Sequence, residues 1–401
     1  MIVRKHFVRD LMYLYTSVFS AGMRNIVSQM FFDSYYPANK EALVSLSLFF
    51  NAVYTMLGIM ASSQLLRSEK WNSRRKKTVM TAVMTAAVCI SFASMFLVRT
   101  FLSYTVMFCI SGFSLNFLYN VFDVFISGTV EPVERERNVR VLLTYQMAGY
   151  IIGPLLFSLF ADSAWLCVGI AVGMLFICFL PVSREYIKAD KAAHPVSDLS
   201  NSGRKARIKS LFSRCNGDNI VMFYSFMMYC ATNTLMPSVA YIMKDHLHAE
   251  NYAVKSSIFL AGTVLVSAAV IALLPAMKLW KLRNAAPLSI AAALAMIIIL
   301  RSDNVFLLAA AAILSGAGNG IFLSGSRFYV NAAAPERGLV QRYNRVITGA
   351  TLIGYMVAAL ISWLCVKNGI TVVPAKLTAI IIMLVLALVF GCFRVRHEEK
   401  E

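Results

Sequence analysis

Residues 116–154 read NFLYNVFDVFISGTVEPVERERNVRVLLTYQMAGYIIGP, and this stretch decides the fold. It opens with an apolar helix that has one polar edge. Asn116, Asn120, Asp123 and Ser127 fall at i, i+4, i+7 and i+11, so they share a face. A charged turn follows, Glu131-Pro132-Val133-Glu134-Arg135-Glu136-Arg137, continuing to Arg140. A second apolar helix then meets Gly149-x-x-x-Gly153-Pro154. Apolar helix, polar edge, charged turn and Gly-Pro break together describe a helix pair lining a wet path through a membrane.

Working outward, the same texture fills the chain. Of 401 residues, 59% are hydrophobic and only 14% charged. A soluble domain carries about 25% charged residues. The apolar residues come in long blocks, which marks a polytopic membrane protein. The net charge of +18 sits in the turns between those blocks. It therefore reads as a topology signal and as contacts for anionic membrane lipids, and no nucleic acid is expected. Eight cysteines are scattered without a C-x-x-C, as small buried hydrophobes are. No cleavable signal peptide is evident, and the first apolar block is expected to stay as the first span.

A spanning helix needs about 20 apolar residues. That rule predicts twelve spans, at 9–31, 43–65, 78–98, 101–126, 141–161, 164–182, 219–243, 254–277, 285–300, 304–327, 343–366 and 371–393. With the N-terminus inside, 30 of the 38 Lys and Arg fall on cytoplasmic segments and 7 on outer turns. This asymmetry fixes the orientation, both termini cytoplasmic. The longest polar segment, 183–218, is basic and contains Pro195 and Gly203, so it reads as a cytoplasmic linker. It separates a first bundle, 1–182, from a second, 219–401. A shift of 203 residues lays Pro132 on Pro335 and Asn116 on Asn319, as an internal duplication would.

The whole chain resembles the major facilitator superfamily of secondary transporters: six plus six spans, both ends inside, a basic central loop. Glu69-Lys70-Trp71-Asn72-Ser73-Arg74-Arg75-Lys76-Lys77 is similar to the family's loop after span 2, although it lacks the Gly and is one residue longer. The turns Glu131 to Arg135 and Pro335 to Gly338 resemble its Pro-Glu-Arg-Gly turns. Gly149-x-x-x-Gly153-Pro154 resembles the Gly-Pro element of span 5 in many exporters. The resemblance implies an all-α membrane fold of two six-helix bundles that rock about a midplane site, with spans 1, 4, 7 and 10 lining the cavity. The common proton-antiporter signature has an Arg four residues before a Gly in span 4; here Phe108 precedes Gly112.

Arg24 is the sharpest oddity among residues that could carry chemistry. A cation inside a span costs roughly 2.5–3.5 kcal/mol on insertion scales, so it needs water, a partner or a substrate. It lies on a stripe Tyr13, Ser17, Ser20, Arg24, Ser28. Substrate or gate contact, a structural ion pair and snorkelling are the three readings. Asp123 is the only carboxylate deep in a span. It is either a gate acid paired with Arg74 or Arg75, or a proton-binding site. Along the membrane normal Arg24 and Asp123 are separated by ~19 Å, too far to pair directly.

The remaining substrate-binding candidates are polar residues at helical spacing: Asn51, Asn116, Asn120, Gln146, Asn233 and Asn319, with Tyr54, Tyr229 and Ser315 beside them. Interhelical hydrogen bonding is the plain alternative for each. Glu69, Arg74, Arg75, Arg135, Gly149, Gly153 and Pro154 join Asp123 as gating or coupling candidates. No P-loop and no catalytic triad or H-E-x-x-H pattern occurs, so no enzyme and no cofactor is expected. Asp245-His246-x-His248-x-Glu250 reads as a solvated outer turn rather than a metal site. The expectation is a monomeric transporter of a small solute in a bacterial inner membrane, driven by a proton gradient. Export of a toxic compound or secondary metabolite leads. Uptake of an organic anion comes second, and a receptor or lipid-handling protein that has lost transport is the reading from another class.

Overall fold

The structure, a computed structural model, describes residues 2–22, 26–67, 71, 73–127, 135–160, 163–188, 239, 243–244, 248, 250–273, 304, 306–321 and 340–370. Every element among them is helical. The helices are α1 (Ile2–Gly22), α2 (Ser28–Tyr35), α3 (Lys40–Arg67), α4 (Arg74–Leu97), α5 (Phe101–Ser127), α6 (Arg135–Leu159) and α7 (Ala164–Lys188). After them come α8 (Tyr252–Leu273), α9 (Phe306–Ile321) and α10 (Val340–Lys367). Among the described residues, five segments are long and apolar enough to cross a membrane: Lys40–Leu66, Arg74–Leu97, Phe101–Asp123, Trp165–Lys188 and Tyr252–Leu273. The predicted spans 9 and 12 lie outside the described residues, as do the turn 128–134, the linker from 189 on and the turn Pro335 to Gly338.

The helix ends follow local chemistry. Thr100 caps α5, accepting the Ser103 N–H on its Oγ1 at 3.3 Å. Asn304 does the same for α9, accepting the Phe306 N–H at 2.9 Å. Helix α10 closes on Gly369, whose φ of +75° a side chain would resist. The Ile370 N–H then reaches back to the Cys365 carbonyl at 3.1 Å, a Schellman-type stop.

One difference from the expected spans has a physical cause. Helix α7 runs six residues beyond the expected end at 182, to Lys188. Buried Val182 and Tyr186 prolong it, and Tyr186 packs edge-on to Phe125 at 5.5 Å. Those six residues were expected to begin the linker.

The first bundle packs around aromatic rings. Phe19 stacks on Phe92, and Tyr15 meets Phe179 edge-on at 5.6 Å. Three helix pairs approach closely enough to require glycine. Helices α1 and α6 meet at Gly149 and Gly153, where an added Cβ would lie 2.6 Å from the Leu14 carbonyl oxygen and 2.1 Å from that of Val18. Helices α3 and α5 meet at Gly58 and Gly112, and α8 and α9 at Gly316 and Gly320. These are the small-residue contacts that let membrane helices pack without a hydrophobic driving force.

Helices from before and after the linker touch in two main pairs, α3 with α10 and α6 with α8. In the predicted span order these are two with eleven and five with eight. A six-span shift exchanges one pair for the other.

Candidate functional site

Chain direction gives the bundle two ends. Short turns place Tyr36, Arg99 and Thr100 together: the Phe101 N–H donates to the Tyr36 hydroxyl at 2.8 Å. Asp33, Lys40, Lys244 and Tyr252 lie at this end. Trp71, Arg74 and Ser127 lie at the other, about 39 Å away along α5.

Near the Trp71 end, Asp123 of α5 accepts a hydrogen bond from the Tyr13 hydroxyl of α1. Tyr119, one turn earlier on α5, packs edge-on against the Tyr13 ring at 4.9 Å. A phenol donating to a carboxylate is a charge-assisted bond, stronger than one between neutral groups. The expected gate partners of Asp123, Arg74 and Arg75, are both exposed at the start of α4. Lys77, three and two residues on, is the buried cation of that helix and lies 5.0 Å from the Tyr186 ring.

The other polar residues of α5 divide between its neighbours. Asn120 donates to Ser62 Oγ at 2.7 Å and to Ser63 Oγ at 3.1 Å, both on α3. Asn116 donates to the Gly112 carbonyl of its own helix at 2.8 Å. Asn51 of α3 is buried and donates to the Phe108 carbonyl of α5 at 2.6 Å. Thr55, one turn on, is buried with no partner for its hydroxyl oxygen among the described residues. Thus Asn51 and Asn120 tie α3 to α5, above and below the Gly58–Gly112 contact, while Asp123 reaches α1.

Two members of the first-span stripe pack against other helices. Ser17 is buried against Gly149 of α6, and Ser28 shares a 2.8 Å hydrogen bond with the Tyr104 hydroxyl of α5. Gln146 donates to Tyr150 along α6 at 3.3 Å. Pro154 sits inside α6, and its carbonyl accepts a bond from Ser257 of α8 at 3.1 Å. The Gly-Pro element therefore has two faces, glycines toward α1 and the proline turn toward α8. Asn319 on α9 is half-buried and Tyr54 on α3 exposed. Arg24, Glu69 and Asn233 lie outside the described residues, as does the position of the Arg135 side chain. Among the described residues no three His, Cys, Asp or Glu side chains cluster as a metal site would need.

At the opposite end stands a cluster that the sequence reading missed. Asp33 Oδ1 meets Lys40 Nζ at 3.2 Å. Asp33 Oδ2 accepts bonds from Lys244 Nζ and, at 3.1 Å, from the Tyr252 hydroxyl. Lys244 Nζ also lies 5.1 Å from the Tyr252 ring centre. Asp33 is beyond the predicted end of the first span. Burial raises its pKa, but the bonds from Lys244, Lys40 and Tyr252 and the Lys40 charge outweigh that and hold it below the ordinary carboxylate value. Its cross-bundle partner is 211 residues away, so no local pattern announces the pair.

No family model matches the chain, and no curated protein matches it in sequence. Solved structures do match over nearly its full length. The nucleoside transporter NupG is 15% identical, covers 97% of each chain and has a TM-score of 0.65. A POT family transporter in complex with a thioalcohol-conjugated peptide is 13% identical, covers 98% of this chain and 96% of its own, and has a TM-score of 0.69. A bacterial homologue of the human lysosomal transporter Spinster, inward-facing and unoccupied, is 11% identical over 98% and 96%, with a TM-score of 0.63. At these identities the likeness is one of fold. The chain has the all-α major facilitator fold, twelve-helical in these neighbours.

Proposed function

We propose that the chain is a secondary transporter moving a small organic solute across a membrane by alternating access. One observation carries this reading: the full-length likeness reaches transporters whose named solutes differ widely, a nucleoside in one and a peptide in another. What those neighbours share is the machinery of movement, not the solute. The reciprocal pairs α3–α10 and α6–α8 support it, because two bundles, 1–188 and 219–401 about the linker 189–218, can rock on them.

Export is the direction we favour, because the Gly-Pro element of α6 lies between α1 and α8, where a tilt of one bundle on the other is felt. The charge asymmetry of the turns supports both termini inside, and a bacterial inner membrane is the location we propose. Asn116, Gln146 and Asn319 remain our described candidates for solute contact, with Arg24 and Asn233 beyond them. Asn51 and Asn120 act through the α3–α5 interface.

The test is flux in sealed vesicles holding the purified protein. Labelled nucleosides, peptides and organic anions are offered with and without a proton gradient. Gradient-dependent movement of one class is the expected result. No movement of any class under either condition would favour a receptor or lipid-handling role on the same fold.

A further inference from the structure

Helices α4 and α7 pack side by side, and their ends near Trp71 meet where Lys77 Nζ lies 5.0 Å from the Tyr186 ring. Lys77 and Tyr186 are buried. Cations next to them on the same turns face outward instead: Arg75 and Lys76 on α4, Arg184 and Lys188 on α7 are all exposed. We propose that these four cations, with the apolar ridges beneath them, bind an anionic phospholipid that carries two phosphate groups, in the leaflet at the Trp71 end.

Helical register sets each pair of cations at the head of a ridge. Successive residues turn by about 100° around a helix. Counted from Arg75, the side chains of Val79, Val83, Ile90 and Leu97 fall at about 40° to 80°, and Lys76 at about 100°. The α4 ridge therefore runs between Arg75 and Lys76, and all four of its apolar side chains are more than half exposed. Counted from Arg184, Lys188, Leu180, Ile177 and Leu166 all fall within about 40°. Leu180, Ile177 and Leu166 are exposed in turn. Glu185, the acid of that turn, is exposed about 100° away from Arg184, off the ridge. From Val79 to Ile90 is about 16 Å, the depth of one leaflet of the hydrocarbon core.

The chemistry of the four cations selects the ligand. Each pair joins one guanidinium, which forks onto two phosphate oxygens, to one ammonium, which acts as a point charge. Packed helix axes lie about 8–10 Å apart, so a single phosphate serves one pair. Two phosphates on a short bridge serve both, and their acyl chains then lie along the two ridges. Trp71 is exposed with Lys76 Nζ 5.7 Å from its ring, and an indole there marks the level of the headgroups. Lys77 over Tyr186 fixes the two helices against each other beneath that level.

The test titrates the full chain in detergent with tetraoleoyl cardiolipin, which has two phosphates, and with dioleoyl phosphatidylglycerol, which has one. Native mass spectrometry counts the bound lipid. Cardiolipin should bind about tenfold tighter. Arg75→Gln with Lys76→Gln, and Arg184→Gln with Lys188→Gln, should each weaken cardiolipin about thirtyfold, at about fivefold per cation. Either double variant should also bring the preference over phosphatidylglycerol below about twofold. All four side chains are exposed, so the variants should keep the wild-type peak on size exclusion. Lys255→Gln with Lys367→Gln removes the same charge from exposed positions at the opposite end and should change cardiolipin binding by less than about twofold. Excess inorganic pyrophosphate should not displace the lipid, because it has no chains for the ridges. Equal affinity for the two lipids, wild-type binding in either α4 or α7 variant, an equal loss in the Lys255, Lys367 variant, or displacement by pyrophosphate would each overturn the site. None of these readouts depends on flux, so the lipid site and the transport function fail separately.

Discussion

Two contacts of the first bundle stand in opposition. Helices α1 and α6 meet backbone to backbone at Gly149 and Gly153, with no atom to spare. Asp33 meets Lys244 through long side chains on separate bundles. The first contact has no slack, because any Cβ at Gly153 lies 2.1 Å from a carbonyl oxygen. The second is made of rotatable bonds whose partners are shared on each side. On the alternating-access reading proposed above, their difference separates parts that would move as one body from parts that would move against each other. The Tyr13–Asp123 bond belongs with the rigid class, since α1 and α5 both precede the linker.

The most damaging way to break this comparison is at the glycines. Gly153→Val should remove the folded protein altogether, read as loss of the monodisperse peak on size exclusion in detergent. A folded, normally stable Gly153→Val protein would mean that α1 and α6 have slack after all.

Tyr13→Phe comes next. It keeps the ring against Tyr119 but removes the donor to Asp123, at a cost of about 1.5–3 kcal/mol. Thermal unfolding in detergent should show a clear fall in midpoint. If Asp123→Asn is also made, the second change should add little, because one bond joins the two residues.

Ser257→Ala tests the contact of α6 with α8, which crosses the bundles. Hydrogen bonds between membrane helices average about 0.6 kcal/mol, so the midpoint should move only slightly. A large fall would place this contact among the rigid ones.

The smallest effect expected is that of pH on the Asp33–Lys244 contact. A carboxyl held below its ordinary pKa contributes stability above that ordinary value and loses it as pH falls through the lowered one. The difference in thermal midpoint between wild type and Asp33→Asn should therefore stay flat from about pH 8 to about pH 5. A change within that window would mean that Asp33 titrates there.

Much of the fold was legible because a bilayer leaves few choices. Every backbone group must be satisfied inside the span, so long apolar blocks become helices. The ends of α3, α4 and α5 fell within a few residues of the predicted spans, since hydropathy and turn chemistry agree there. Helix α7 outran its prediction because burial of Tyr186 continues past the apolar window. The polar residues were found as a set but not as a site. Helical spacing put Asn116, Asn120 and Asp123 on one face, yet Asn116 bonds its own helix, Asn120 turns to α3 and Asp123 to α1.

By itself, then, the sequence determined that this chain is a bundle of membrane helices and in what order they run. Those are consequences of hydrophobic length, a local property. Only the tertiary structure decided the partners: Tyr13 for Asp123, α3 for Asn120, and two lysines on opposite sides of one carboxylate for Asp33. A hydrogen bond needs its groups within about 3 Å, and residues 211 apart in the chain reach that distance only when the fold brings them there.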